Sequence, residues 1–398
     1  MSDILKDITV LDLSQNIAGP FCTQLLGDYG ANVIKVERPG VGDDSRGWTR
    51  HSWNGMGTFF LGVNRNKKSI CVDFSDAAGQ AVVRRLAASA DVLVHSVRPG
   101  RLESRGLGYD DLKKGNAGLV YCAISAFGGT GPRAADPGYD ALLQAFSGIM
   151  SVTGHADRPP ARVGVSILDI SSGLWAFSGI LAALYRRKDT GEGAMVTTSL
   201  METGVNWMTM FLMHYMGTGD TGHRTGDMTL FSAPYESFNT KDGAVFIVAS
   251  NDKLFANVCR ALGVPELIED PRFNTNAQRI LEPNRTVLHQ LLESQTLQMA
   301  SEECVELMRR SGAPCSTINS VDAVYRDEQV RAMGMIRPLP ADHLPDFKVV
   351  DLPVSIDGEK ASLRHAPPRL GAHTDEVLGR AGYTAGEIAG LRERKVIE

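Results

Sequence analysis

The 398-residue chain lacks most of the features that mark a specialised protein class. Its six cysteines (Cys22, Cys71, Cys122, Cys259, Cys304 and Cys315) form no CxxC pair and no Cys/His cluster at zinc-ligand spacing. That excludes the usual structural zinc modules and fits a reducing compartment. A basic excess is missing too: 41 Lys and Arg stand against 46 Asp and Glu, a net charge of -5. A nucleic-acid partner normally demands a basic face, so none is expected. The opening MSDILKDITV carries two acids and no apolar h-region, so a signal peptide is not expected. The longest strongly apolar stretch, Gly173 to Tyr185, falls short of the ~20 residues that span a bilayer. Repeats and low-complexity tracts are absent. The expectation is a soluble cytoplasmic protein without a metal and without a membrane partner.

What is present is an alternation of strand and helix signals. ITVLDL (Ile8–Leu13) reads as a buried strand, GPFCTQLLGDYG as a helix with Pro20 in its first turn, and NVIKVE (Asn32–Glu37) as a second strand. SICVDF, a helix over SDAAGQAVVRRLAASA with Ser75 as its cap, DVLVHS and LVYCAIS continue the series. Repeated βαβ units imply a parallel sheet covered by helices, hence a Rossmann-like large domain. The composition changes after Met201, where GTGDTGHRTGDMT reads as a linker or long loop. AVFIVAS then opens a smaller α/β segment with three helices. The expected division is a large domain over 1–200 completed by 335–398, a linker over 201–224 and a small α/β domain over 225–334. The tail TAGEIAGLRERKV has the Thr/Glu start signal of a capped helix.

The first βα turn, SQNIAGPF, lacks the GxGxxG of dinucleotide binders, although Glu37 stands where their ribose-binding acid would fall. The helix after that turn still offers free N–H groups to an anion. Arg38 follows the second strand, and Arg98, Arg101 and Arg105 follow DVLVHS. Arginines delivered from two strand ends suit a phosphate-bearing, nucleotide-like ligand; solvated surface arginines are the plainer reading. Between Arg162 and Arg186 the only charged side chain is Asp169. A lone carboxylate in an apolar run is either a helix cap or a working group.

The stretches VLDLSQNIAGP, GDYGANVIKVERPGVGDDSRGW, NRNKKSICVDF, ADVLVHSVRPG, ISAFGGTGP, PGYDALLQAFSGIMSVTG, VGVSILDISSGLWAFSGILAALYRRKDTGEG and PPRLGAHTDEVL together resemble the family III CoA-transferases, the family of formyl-CoA and carnitine CoA-transferases. The resemblance implies CoA transfer from an acyl-CoA to a free carboxylic acid, with CoA thioester as substrate and no permanently bound cofactor. It makes Asp169 the nucleophile that carries an acyl anhydride and then a CoA thioester. By the same resemblance Ala18, Arg38, Val72, Asp73, Ser96, Val97 and Arg98 contact CoA, and Tyr139 lines the active site. An interlaced homodimer is implied as well.

Departures bear on the substrate. Ile17 replaces the glutamine of formyl-CoA transferase, and no GGGG loop is present, which points away from formate and oxalate. Ser104 stands where many relatives have an arginine, with Arg105 or Arg101 as replacements. Arg224 survives from the R-x-G-N-x-H-P pattern as a candidate partner for an acyl carboxylate or as a surface residue. A related racemase branch uses a histidine where this chain has Tyr139, a poor base. A CoA-thioester isomerase and a non-catalytic acyl-CoA-binding protein stay as alternatives.

Overall fold

The computed structural model describes residues 4–48 and 50–398. The first three residues of the stretch read for a leader lie outside the described residues. The chain divides into two compact units, one of 1–149, 163–218 and 329–398, the other of 150–162 and 219–328.

The first unit is built on a six-stranded parallel sheet. Its strands are β1 (Thr9–Leu13), β2 (Asn32–Glu37), β3 (Lys67–Cys71), β4 (Val92–His95), β5 (Val120–Ser125) and β6 (Ala194–Ser199). They lie in the order β3-β2-β1-β4-β5-β6, all parallel. Short apolar runs suit strands covered on both faces, and Val10, Leu11, Val33, Val92, Leu93 and Val120 are buried here. Strands are added outward in opposite directions from β1 and β4, and such a switch point in strand order opens a crevice at the carboxyl ends of the strands.

Helices α1 (Ala18–Asp28), α2 (Ala77–Ala87), α3 (Asp140–Phe146), α4 (Ile167–Thr190), α5 (Leu200–Trp207) and α6 (Thr209–Thr218) complete the elements used below. Helix α4 packs on α1, β5 and β6. Gly173 permits this approach: a Cβ there would lie 2.7 Å from the Ala18 carbonyl oxygen. The C-terminal segment belongs to this unit. Val72 bridges to Ile397, and the helix Ala385–Glu393 carries the Thr384/Glu387 capping box read from the sequence.

The second unit holds a three-stranded antiparallel sheet of Tyr235–Asn239, Ala244–Val248 and Cys315–Thr317. Helices Asp252–Ala261, Asn284–Thr296 and Ser301–Arg310 surround a core that includes Phe238, Ile247, Phe255, Phe273, Leu288 and Met308.

Several expectations need correction. Most of the 201–224 linker is helix, because Ser199 caps α5 by accepting the Glu202 N–H and no glycine interrupts α6 before Gly217. Residues 150–162 belong to the second unit, joined there by the Gly154–Gly226 bridge. The cap of α2 is Asp76, whose carboxylate accepts the Ala78 N–H at 2.8 Å. Ser75 is instead tied to Asp73 Oδ1 through its own N–H and hydroxyl. Finally, the apolar run around Asp169 belongs to a 24-residue helix, long and apolar enough by composition to cross a membrane. Here Leu168, Ala176, Ile180 and Leu184 turn one stripe of it into the protein.

Candidate active site

The site grows from the turn between β1 and α1. Helix α1 begins with no side-chain cap, so its first amides stay available at the crevice. Gly19 is required there, since a Cβ would overlap that of Ser14. Asn16 adopts a left-handed conformation, φ 67°. The Gln15 N–H donates to Ser96 Oγ at 2.9 Å, which joins this turn to the loop after β4.

Two cavities flank the turn and share Gln15, Asn16, Ser96, Val97 and Arg98 in their walls. The first, of about 530 Å³, also takes in Arg38 after β2, Val72 and Asp73 after β3, and Arg101 and Arg105 after β4. Four arginines from two strand ends thus face one space. Arg38 is held by the Gly42 carbonyl at 3.3 and 3.2 Å and pairs with Asp44. Arg105 lies 5.7 Å from the Phe74 ring, and Phe74 lines the same cavity. The space suits a flat base and several phosphates.

The second cavity, of about 230 Å³, brings together Ile17, Ala18, Tyr139 and Asp169 with Trp48, Pro137, Gly138 and Leu200. Asp169 is half-buried at its wall and has no cation partner among the described residues. It lies in the first turn of α4, which starts at Ile167, so it is not the cap that its sequence context allowed. Asp140 fills that role from α3: its Oδ2 accepts the N–H groups of Leu168 at 2.7 Å and Asp169 at 3.2 Å. Gln144 donates to the other Asp140 oxygen and accepts the Val163 N–H at 2.8 Å. Burial, and then the charge of Asp140, pushes the Asp169 carboxyl up to about 7.

Eleven of the residues singled out from the sequence fall on these two walls. Arg38, Val72, Asp73 and Arg105 meet in the first cavity; Ile17, Ala18, Tyr139 and Asp169 meet in the second; Ser96, Val97 and Arg98 are shared. Arg101 lines the same cavity as Arg105, so both candidates for the missing arginine at position 104 face that space. Of the two readings left open for Arg224, the surface residue fits: its guanidinium donates to the carbonyls of His155, Ala156 and Arg158 at 3.0 to 3.3 Å and ties a loop of the second unit. Sequence reasoning missed Gln15, Asn16, Trp48 and Asp140. Among the described residues, no three His, Cys, Asp or Glu side chains gather as a metal centre.

A doubly wound α/β protein whose switch point sets an arginine-lined cavity beside a cavity with an unpaired carboxylate is built to handle an anionic, nucleotide-like carrier. The family model of CoA-transferase family III matches residues 5–374, and the chain belongs to this family. It is 39% identical over 395 residues to succinyl-CoA:glutarate CoA-transferase of Mus musculus, covering 99% of this chain and 90% of that one. It is 35% identical to succinyl-CoA--D-citramalate CoA-transferase of Chloroflexus aurantiacus, over 99% and 98% of the two chains. Among solved structures, a CAIB/BAIF family protein from Brucella suis superimposes with a TM-score of 0.86 at 34% identity, over 96% of this chain and 100% of that one.

Proposed function

We propose that this CoA-transferase moves CoA from a dicarboxylic acyl-CoA, of which succinyl-CoA is the type, to a second carboxylic acid through covalent adducts on Asp169. The observation that carries the mechanism is Asp169, without a cation partner, on a cavity that shares a wall with the arginine-lined one. The substrate class draws on the relatives, two of which are named for succinyl-CoA as donor.

In the proposed cycle the Asp169 carboxylate attacks the thioester carbonyl, forming a mixed anhydride as the C–S bond breaks and CoA leaves as thiolate. The thiolate attacks the aspartyl carbonyl, which releases the donor acid as carboxylate and leaves an aspartyl-CoA thioester. The acceptor carboxylate attacks that thioester, and the expelled thiolate then takes the acyl group and frees Asp169. Each half-reaction exchanges one carboxylate for another, so no net proton moves. An anhydride needs protection from water, and the apolar wall of Ile17, Trp48, Pro137 and Leu200 serves that need.

An interlaced pair of chains belongs to the same reading, in the cytoplasmic setting that six free thiols suit. Its support is an uncovered apolar face: Trp207, Met210, Met213, Tyr215 and Met216, along α5 and α6, are all more than half exposed. A second copy of the chain is the occupant assigned to it.

The test mixes succinyl-CoA with a panel of carboxylic acids and follows the CoA products by mass spectrometry. Hydroxylamine or borohydride should mark the Asp169 peptide only when thioester is present. Transfer at the wild-type rate by Asp169→Ala would overturn the covalent route.

A further inference from the structure

The stretch GANVIKVERPGVGDDSRGW supplies Arg38 to the first cavity, yet its Lys35, Glu37 and Asp43 line neither cavity. They lie beneath the β1–α1 turn, and Lys35 and Asp43 have side chains fully removed from solvent. Lys35 Nζ meets Asp43 Oδ2 at 2.8 Å and donates to the Ser14 carbonyl at 2.9 Å. Asp43 Oδ1 accepts the Asn16 N–H at 3.1 Å and the N–H and hydroxyl of Ser45 at 2.9 and 2.7 Å. The Asp43 N–H in turn donates to Glu37 Oε2 at 3.0 Å, and Arg46 grips both Glu37 oxygens at 2.7 Å.

These bonds hold one loop at two places. Its Arg38 end faces the arginine-lined cavity, and its Asp43 end fixes Asn16, a wall of both cavities and the residue before Ile17. Asn16 is also the position that must keep a left-handed backbone, which its Asp43 bond helps to hold in place.

We infer that Asp43 is a positioning residue for acyl transfer: locked by Lys35, its carboxylate holds the Asn16 amide and so links the loop that carries Arg38 to the turn that faces Asp169. The inference rests on the CoA-transferase reading given above. Binding of the carrier's remote phosphates can then be used at the reacting centre, as catalysis by remote binding energy requires. The expected signature is a loss in kcat greater than the rise in KM for acyl-CoA.

A single substitution would strand a buried charge, so the test replaces the pair. Lys35→Met with Asp43→Leu removes both charges and the acceptor for Asn16. Lys35→Met with Asp43→Asn removes both charges but keeps a carbonyl oxygen there. Displacing the turn by an ångström should lower kcat in the leucine variant by about 100-fold. The asparagine variant should recover most of that loss, with KM for succinyl-CoA within a few-fold in both. Thermal denaturation checks that both are folded; should the leucine variant fail, Lys35→Met with Asp43→Ser, whose hydroxyl is too short to reach Asn16, replaces it. A folded leucine or serine variant with wild-type kcat overturns the inference, and so does an asparagine variant as slow as the leucine one. Wild-type chain that transfers no CoA to any acid instead overturns the function on which the inference rests.

Discussion

The same unit holds carboxylates with opposite fates. Asp12 and Asp43 are fully enclosed, and each has a buried lysine against it: Lys67 at 3.1 Å from Asp12, Lys35 at 2.8 Å from Asp43. Burial alone would raise both acids, yet the lysines and the nearby hydroxyl and amide donors outweigh it and hold both below the ordinary carboxylate range. Asp169 is less enclosed, but it has no cation, and its neighbour is a second acid. The enclosed carboxylates are neutralised by partners that also pin the backbone, so their charge is structural. Asp169, at a cavity wall, has no such partner, which fits the role proposed for it.

Replacing Asp169 should sharpen this contrast most. Asp169→Asn keeps the shape and removes the proposed nucleophile, so transfer should fall by about 10⁴-fold or more. Stability should not fall, because an unpaired half-buried acid at neutral pH costs the fold more than an amide does. Steady-state rates and thermal midpoints on the same preparations check both halves. A stable, fully active variant would place Asp169 with the structural acids.

The converse holds for Asp12. Lys67→Met leaves that carboxylate enclosed without its partner, which should cost about 3–5 kcal/mol in denaturant unfolding. Burial pushes the Lys67 amine down to about 8, and Asp12 keeps it from going lower, so the pair is mutually dependent. Adding Asp12→Leu to Lys67→Met should return much of the loss, because an apolar replacement strands no charge.

The pH profile separates the two kinds of acid further. On the proposed covalent route Asp169 attacks as the carboxylate, so kcat/KM should rise with pH through an apparent value of about 7. For stability the sign is opposite: an acid raised on folding keeps its proton in the native state between about 4 and 7. Its favourable contribution is therefore present at acid pH and fades as pH climbs through that window. Asp43, lowered on folding, stabilises at neutral pH and loses its contribution as pH falls through its folded value. Asp140→Asn should move the activity profile toward lower pH, leaving the larger effect of burial in place. A profile unmoved by that change would mean that Asp140 acts only as the cap of α4.

Much of this was legible in the sequence. Enclosed parallel strands read as short apolar runs, so five of the six sheet strands were visible; β6, whose AMVTTS alternates exposed and half-buried residues, was not. Asp169 stood out as the one charge in an uncharged segment. The arginines were legible as residues just past strand ends. Asp140 was not, because a cap supplied from another helix leaves no local pattern at Ile167. The Asp43–Asn16 bond was equally hidden, although Lys35 in the middle of an apolar strand was a signal of a buried partner. Arg224 stayed open because a surviving motif residue looks the same whether it meets a ligand or three backbone carbonyls.

Charges at the open end of the site should matter least. Arg105 is only partly buried, and no carboxylate among the described residues pairs with it, so Arg105→Gln frees no buried acid and should not disturb the fold. An exposed guanidinium on a phosphate contributes about 1 kcal/mol, which raises KM for acyl-CoA about five-fold with kcat unchanged. Added salt should shrink that difference, because screening acts on exposed pairs first. The Lys35–Asp43 pair, sealed from solvent, should show no such salt dependence. Measuring KM for wild type and Arg105→Gln at low and high ionic strength therefore tells whether the rim arginine acts through charge alone or, like the buried lysines, by holding backbone in place.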